Sequence, residues 1–336
     1  MRILFSSYAF RPAVGGIETV SAILADEFVS AGHEVQLITE TAGDDLERPR
    51  YGVTRRPSLP RIFSLLRWAD VFFQNNISLS TLLPALAVGK PSIVAHQTWI
   101  RNPDGGLGWK ARLKRMLLSR VTNVAISQAI ADDLQRPCVI IPNPYRDSSF
   151  RLVPGIARYR DLVFLGRLVS DKGVDLLLRA LREVRREGSA PTLTIIGAGP
   201  EEHALKALAH ELDLGNQVEF AGEKSGDELA MLLNQHRIMV VPSRWAEPFG
   251  VVALEGIACG CAVIGSEDGG LKEAMGLCGI TFKNGDQTSL AAALERVLGD
   301  RALEESLRRA GPAHLLRFKP GEVARAYLQM MGDSAR

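Results

Sequence analysis

Short, uninterrupted apolar runs recur along this chain, with helical patterns between them. Six lie at 2–7, 35–39, 71–74, 92–96, 124–127 and 139–142, and six more at 162–168, 193–197, 218–221, 238–242, 262–265 and 280–282. A strand with one wet face alternates apolar and polar residues, whereas a strand covered on both faces reads as a continuous apolar run. Helical spacing at 18–31, 174–187, 200–212, 227–235 and 290–298 supplies the covering layers. Strand–helix alternation of this kind predicts α/β domains built on doubly wound parallel sheets.

A stretch rich in Pro, Arg and Ser between 143 and 160 separates the two series, and 336 residues suit two domains. The expected division is 1–152, 153–312 and a C-terminal segment, 313–336, whose helix at 317–331 returns to the first domain. The expected architecture is two Rossmann-like domains facing a cleft, with ligands outside the carboxyl ends of the strands.

Hydrophobic residues make up 46% of the chain and charged residues 23%, the balance of a soluble globular protein. MRILFSS enters a strand-like run without the pattern of a signal peptide. The longest apolar stretch, 79–88, is broken by Pro84 and is too short to span a bilayer. Cys138, Cys259, Cys261 and Cys278 lack zinc-type spacing and are expected as buried free thiols of a reducing, cytoplasmic compartment.

Charge is unevenly spread. Residues 48–120 hold 13 Lys/Arg and two acids, Asp70 and Asp104, so the span carries 13 − 2 = +11. With a net charge of +2, the remainder carries 2 − 11 = −9. Such a field favours an anionic partner. Within it, WKARLKRMLLSR mixes Leu and Met with Lys and Arg. Three readings stay open: an anionic membrane surface, a solvated helix face, or a site for an anionic acceptor.

The chemistry concentrates in EPFGVVALE, where Glu247 and Glu255 stand eight residues apart. A helix starting near Gly250 places Glu255 in its first turns and Glu247 just ahead. The carboxylates can accept hydroxyl hydrogens, and helix N-terminal N–H groups can donate to phosphate. A ligand rich in both hydroxyl and phosphate groups is a nucleotide sugar. Arg167 and Lys172, in GRLVSDKG after the first strand of the second series, suit a diphosphate. Gly15 and Gly16 precede the first helix and permit a close approach to a ligand or simply a tight turn. His96 ends a strand-like run, either as a core residue or as a ligand contact. GAGPEE at 197–202 lacks the third glycine of a dinucleotide loop and reads as a helix-entry turn with Pro200 at the first helical position.

Taken together these motifs resemble the family-four retaining glycosyltransferases of the GT-B fold. The resemblance runs in order along nearly the whole chain: GGIE, AHQTW, AISQ, IPNP, FLGRLVSDKG, IIGAGPE, VEFAGE, VPSRWAEPFGVVALEGIACGCAVIGSEDGGLKE and GITF. It implies a nucleotide-sugar donor, a UDP-sugar ahead of GDP-mannose, held mainly by the second domain. Glu255 would hold ribose hydroxyls. Glu247 would contact the sugar ring beside Pro248, with the N–H groups of Phe249, Gly250 and Val251. Arg167 and Lys172 would take the diphosphate, while Gly15 and Gly16 close over the phosphates. His96 would contact the donor sugar and support the transition state. Gln97 departs from the acidic residue frequent after that histidine, so what orients the imidazole is open. No cofactor and no obligatory metal are expected.

The resemblance also implies a glycan, lipid-linked or small-molecule acceptor, in cell-surface polysaccharide or glycoconjugate biosynthesis. The expected location is cytoplasmic or peripheral on the inner membrane face, without nucleic-acid partners. A nucleotide-sugar epimerase of the same fold and a non-catalytic nucleotide-sugar-binding subunit are the alternatives.

Overall fold

The computed structural model describes all residues except 14, 44–48, 102–105, 107, 187–189 and 335–336. Arg48 and Asp104 of the basic span therefore lie outside the described residues. The chain divides into two compact units, residues 1–144 with 318–336, and residues 145–317. The divisions thus fall after Pro144 and before Phe318, rather than at 152/153 and 312/313.

The first unit is built on seven strands: β1 (Arg2–Ser7), β2 (Glu34–Thr39), β3 (Gly52–Arg55), β4 (Val71–Asn75), β5 (Ser92–His96), β6 (Thr122–Ala125) and β7 (Val139–Ile140). All pairings are parallel, in the order β3-β2-β1-β4-β5-β6-β7. The strand β3 has no counterpart in the apolar pattern because it is an edge strand whose four residues are only half-buried. An aromatic cluster forms part of this core. Phe5 of β1 meets Phe73 of β4 edge-on at 4.7 Å, and Phe28 of helix Gly16–Ser30 meets Phe73 at 5.8 Å. Tyr327, from helix Pro320–Ser334, completes the cluster at 5.1 Å from Phe73. That helix also packs along helix Gly16–Ser30, which ties the returning segment to the first unit.

The second unit carries six parallel strands: β8 (Arg160–Leu165), β9 (Leu193–Ile196), β10 (Val218–Gly222), β11 (His236–Val241), β12 (Ala262–Ser266) and β13 (Gly279–Phe282). Their order is β10-β9-β8-β11-β12-β13. Helices Val174–Arg186 and Gln287–Gly299 pack together, and Leu177, Leu181, Leu290 and Leu294 are fully buried with Ile195 and Val240 of the sheet.

Both sheets reverse their winding once, between β1 and β4 in the first unit and between β8 and β11 in the second. The loops leaving the carboxyl ends of those strands diverge there and leave room for a ligand. The four cysteines are unpaired; three are buried, but Cys138, beside the two-residue β7, is only half-buried. Among the described residues, no helix is long and apolar enough to cross a membrane.

Candidate functional site

In the second unit the loop after β8 carries Arg167, and a single 3-10 turn at Ser170–Lys172 carries Lys172. The loop after β11 carries Glu247. The two are stitched together by backbone bonds, since the Asp171 carbonyl accepts from the N–H groups of Arg244 (2.9 Å) and Trp245 (3.3 Å). The arrangement brings Lys172 and Glu247 into contact. Lys172 Nζ donates to Glu247 Oε1 at 2.6 Å, and Ser243 Oγ donates to the same oxygen at 2.7 Å. Arg167 is exposed and pairs with no acid among the described residues.

Glu247 is also held through its backbone. Its carbonyl accepts from Gly270 N–H at 2.7 Å, and it forms a parallel bridge with Gly269. Gly269 has φ +81°, and a Cβ there would lie 2.2 Å from the Glu247 carbonyl oxygen. Only glycine meets both demands. The Gly-Gly pair after β12 thus fixes the loop that presents Glu247.

Helix Val251–Ala258 follows directly, with Gly250 as its N-cap at φ +104° and no side-chain cap bond. Phe249 is buried and anchors the entry. Glu255 stands on the helix's second turn, half-buried. Among the described residues no donor hydrogen-bonds its carboxyl. Loss of surrounding water pushes its pKa up to about 7, with the positive charge of Arg146 pulling the other way.

The loop 197–201 serves the site as support. Leu168 N–H donates to Ala198 O at 2.9 Å, and Glu201 N–H to Leu168 O at 3.1 Å. It is a turn beneath the Arg167 loop, but the helix begins at Glu202, not at Pro200, because Glu201 occupies the N-cap position.

In the first unit, Gly15 is the N-cap of helix Gly16–Ser30, in extended backbone, and Gly16 has open space where a Cβ would stand. His96, the last residue of β5, is 0% exposed, so its side chain is presented as a core residue rather than an open ligand contact. Asn123 orients it. The Asn123 side-chain N–H donates to the Leu118 carbonyl at 2.9 Å, which turns Oδ1 toward His96 Nε2 at 3.1 Å. His96 therefore donates from Nε2 and leaves Nδ1 as a buried acceptor without a partner among the described residues. Burial, as the leading cause, pulls its pKa down to about 4 and keeps it neutral.

Gln97 does not orient His96. It bonds Asn75 Oδ1 at 2.8 Å and exchanges bonds with Asn143 at 3.0 and 2.7 Å. Asn75, Asn123, Asn143 and Ser243 organise these sites, yet sequence reasoning did not single them out as individual site residues. Asn143 lies in the IPNP motif, and Ser243 four residues before Glu247, the only sequence signals that pointed to them.

The basic span is less uniform in space than in sequence. Asp133 pairs with both Arg101 and Arg115, the latter at 2.8 Å, and Arg2 pairs with Asp70 at 2.9 Å. Lys90 donates to the Ala69 carbonyl and Arg56 to that of Glu40. Lys110 and Lys114, one turn apart on helix Trp109–Leu117, have no acidic partner among the described residues.

Two Rossmann-like sheets of this order in one chain, with such a loop cluster in the second, define the GT-B class. The Anabaena HepE structure solved in complex with UDP superposes with TM-score 0.84 over 99% of this chain and 100% of that one, at 20% identity. The model for glycosyl transferases group 1 matches residues 153–314, and that for glycosyltransferase family 4 matches residues 14–148. The chain belongs to the group 1 glycosyltransferases of GT-B fold.

Among curated relatives, glycogen synthase of Mycobacterium tuberculosis is 37% identical over 157 residues, 46% of this chain and 38% of that protein. The gpi3 subunit of phosphatidylinositol N-acetylglucosaminyltransferase from Schizosaccharomyces pombe is 24% identical over 326 residues, 87% of this chain and 71% of that protein. The chain thus spans well under half the length of the glycogen synthase it matches.

Proposed function

We propose that this protein is a retaining glycosyltransferase that moves a hexose-type sugar from a nucleotide-sugar donor to a glycan, lipid-linked or small-molecule acceptor. A UDP-sugar is the favoured donor, ahead of GDP-mannose, and the pathway is cell-surface polysaccharide or glycoconjugate biosynthesis. The observation that carries this reading is the cluster of Lys172, Ser243 and Glu247 beside the helix that presents the unbonded carboxyl of Glu255. The UDP held by the HepE neighbour supports the choice of nucleotide. The names of the glycogen synthase and gpi3 relatives support glycan or lipid-linked acceptors.

In this reading Glu255 accepts the ribose hydroxyls, and the start of helix Val251–Ala258 faces phosphate. Arg167 and Lys172 stabilise charge on the departing diphosphate, the work a metal does elsewhere. Glu247 Oε1 already accepts from Lys172 and Ser243, which makes it a poor nucleophile and a good fixed acceptor for a sugar hydroxyl. The acceptor oxygen then attacks the anomeric carbon from the face of the leaving phosphate. The carbon–phosphate oxygen bond breaks, and that phosphate oxygen takes the acceptor's proton. His96, neutral, keeps Nδ1, unpartnered among the described residues, as an acceptor for a donor-sugar hydroxyl.

A thermal-shift and slow-hydrolysis panel of nucleotide sugars tests the proposal; no shift with any of them sinks it. Glu255→Ala is expected to weaken nucleotide binding at least about tenfold, the scale of a lost hydrogen bond to a charged group. Glu247→Ala is expected chiefly to lower turnover. Equal nucleotide binding by the two variants contradicts this division of roles.

A further inference from the structure

The first unit has its own opening at the place where its sheet reverses winding. A cavity of about 390 Å³ lies between the loop after β1 and the loop after β4. Tyr8 stands on the first loop, Asn76 and Ser78 on the second, Ser80 at the start of helix Leu79–Ala87 that follows it, and Lys110 and Lys114 line a third side from helix Trp109–Leu117. The volume falls in the range of small-molecule sites.

The lining is chemically one-sided. Lys110 and Lys114 are four residues apart, so both ammonium groups leave the same face of the helix. Among the described residues neither meets a carboxylate; Lys110 lies over the Trp109 ring, 5.5 Å from its centre. Burial, helped by the charge of Lys110, pulls the Lys114 pKa below its usual value. A half-buried ammonium beside a second, exposed one is costly, and a bound anion offsets that cost. Hydroxyl groups complete the lining. Ser78 and Ser80 hydrogen-bond each other at 2.9 Å, Tyr8 is 64% exposed, and the side-chain amide of Asn76 makes no hydrogen bond to a described residue. Asn76 is held in the left-handed region, φ +73°, by its N–H bond to Ala95 O. The charge of Lys114 reaches His96 and contributes to keeping it neutral. The cavity is therefore close to the first unit's one buried histidine, without including it.

We propose that this cavity binds the acceptor, and that the acceptor carries a phosphate group which Lys110 and Lys114 grip while the hydroxyl lining orients its sugar or polyol part. This rests on the glycosyltransferase reading above and adds the acceptor's chemical class. The phosphate comes either from a soluble phosphorylated sugar or from a lipid headgroup. Among the other described cations of the basic span, Arg101 and Arg115 are committed to Asp133, and Arg55, Arg56 and Lys90 to backbone carbonyls.

The test uses the full chain saturated with UDP, so that the diphosphate loop of the second unit is occupied. Failure of UDP to bind overturns the donor reading and is seen before any acceptor is added. Calorimetry then compares glucose 6-phosphate with glucose, and sedimentation compares phosphatidylglycerol with phosphatidylcholine vesicles. Binding of glucose 6-phosphate but not glucose, weakened at least about tenfold in Lys110→Ala/Lys114→Ala, supports the proposal with a soluble source. Binding to phosphatidylglycerol vesicles alone, lost in the same variant, supports it with a lipid source. Lys110→Arg/Lys114→Arg retains binding in either case. Equal binding of glucose and its phosphate overturns the proposal, as does anion or vesicle binding that the Ala pair leaves unchanged. UDP affinity and thermal stability of the Ala pair report whether the variant remains folded.

Discussion

Glu255 combines a raised pKa of about 7 with an expected role as a hydroxyl acceptor. An acid whose folded pKa lies above its unfolded value stabilises the fold at low pH, and that contribution is lost as pH rises through the folded value. Here the window runs from 4.5 to about 7. A ligand whose hydroxyls donate to the carboxylate favours the ionised form and has the opposite pH trend. UDP affinity is therefore expected to rise as pH climbs through about 7, and Glu255→Gln is expected to bind weakly with no such rise. Calorimetry from about pH 6 to about pH 8, on either side of that value, measures this; a flat profile in the wild type contradicts it. Glu247 accepts hydrogen bonds from Lys172 and Ser243, whereas Glu255 has neither partner.

At the scale of elements, the candidate donor site depends on how the turn after β12 meets the loop after β11. Gly269→Ala places a methyl group against the Glu247 carbonyl in a backbone conformation L-residues avoid. It is expected to cost about 1–3 kcal/mol and to lower turnover through displacement of Glu247. Denaturant unfolding and donor hydrolysis measure the two effects; an unchanged hydrolysis rate removes Gly269 from the support of the site. Sequence pattern revealed the strands that are covered on both faces, because burial writes itself as continuous apolar runs. The edge strand β3 escaped because Gly52, Val53, Thr54 and Arg55 are only half-buried and leave no such run. The place of Glu255 was legible because the Pro/Gly entry marks where its helix starts, with Glu247 in the loop just ahead. The bond from Lys172 to Glu247 was not, since 75 residues separate the partners and only the sheet order brings their loops together. Nor did the sequence show which cations of the basic span meet acids, because Asp133 lies outside that span.

Over the whole molecule, each unit holds a buried neutral histidine. His96 in the first and His236 in the second both have pKa values lowered to about 4, chiefly by burial. A histidine with a depressed folded pKa contributes stability that is present above its unfolded value, 6.5, and is lost as pH falls toward the folded value. Acid is therefore expected to weaken both units between pH 6.5 and about 4. His96→Gln is expected to flatten this slope in the first unit alone. Unfolding followed separately by probes in each unit decides the point; a pH-independent transition over that range contradicts it.

The docking of Tyr327 against Phe73 has a consequence for the order in which a ribosome delivers the protein. Domains fold as units during synthesis, earlier ones first where their parts are all present. The first sheet is made early, but the helix that covers one side of its aromatic cluster follows the entire second unit. Residues 145–317 are contiguous and emerge as a complete folding unit while Phe73 still awaits its cover. The earlier-made unit is thus finished after the later-made one.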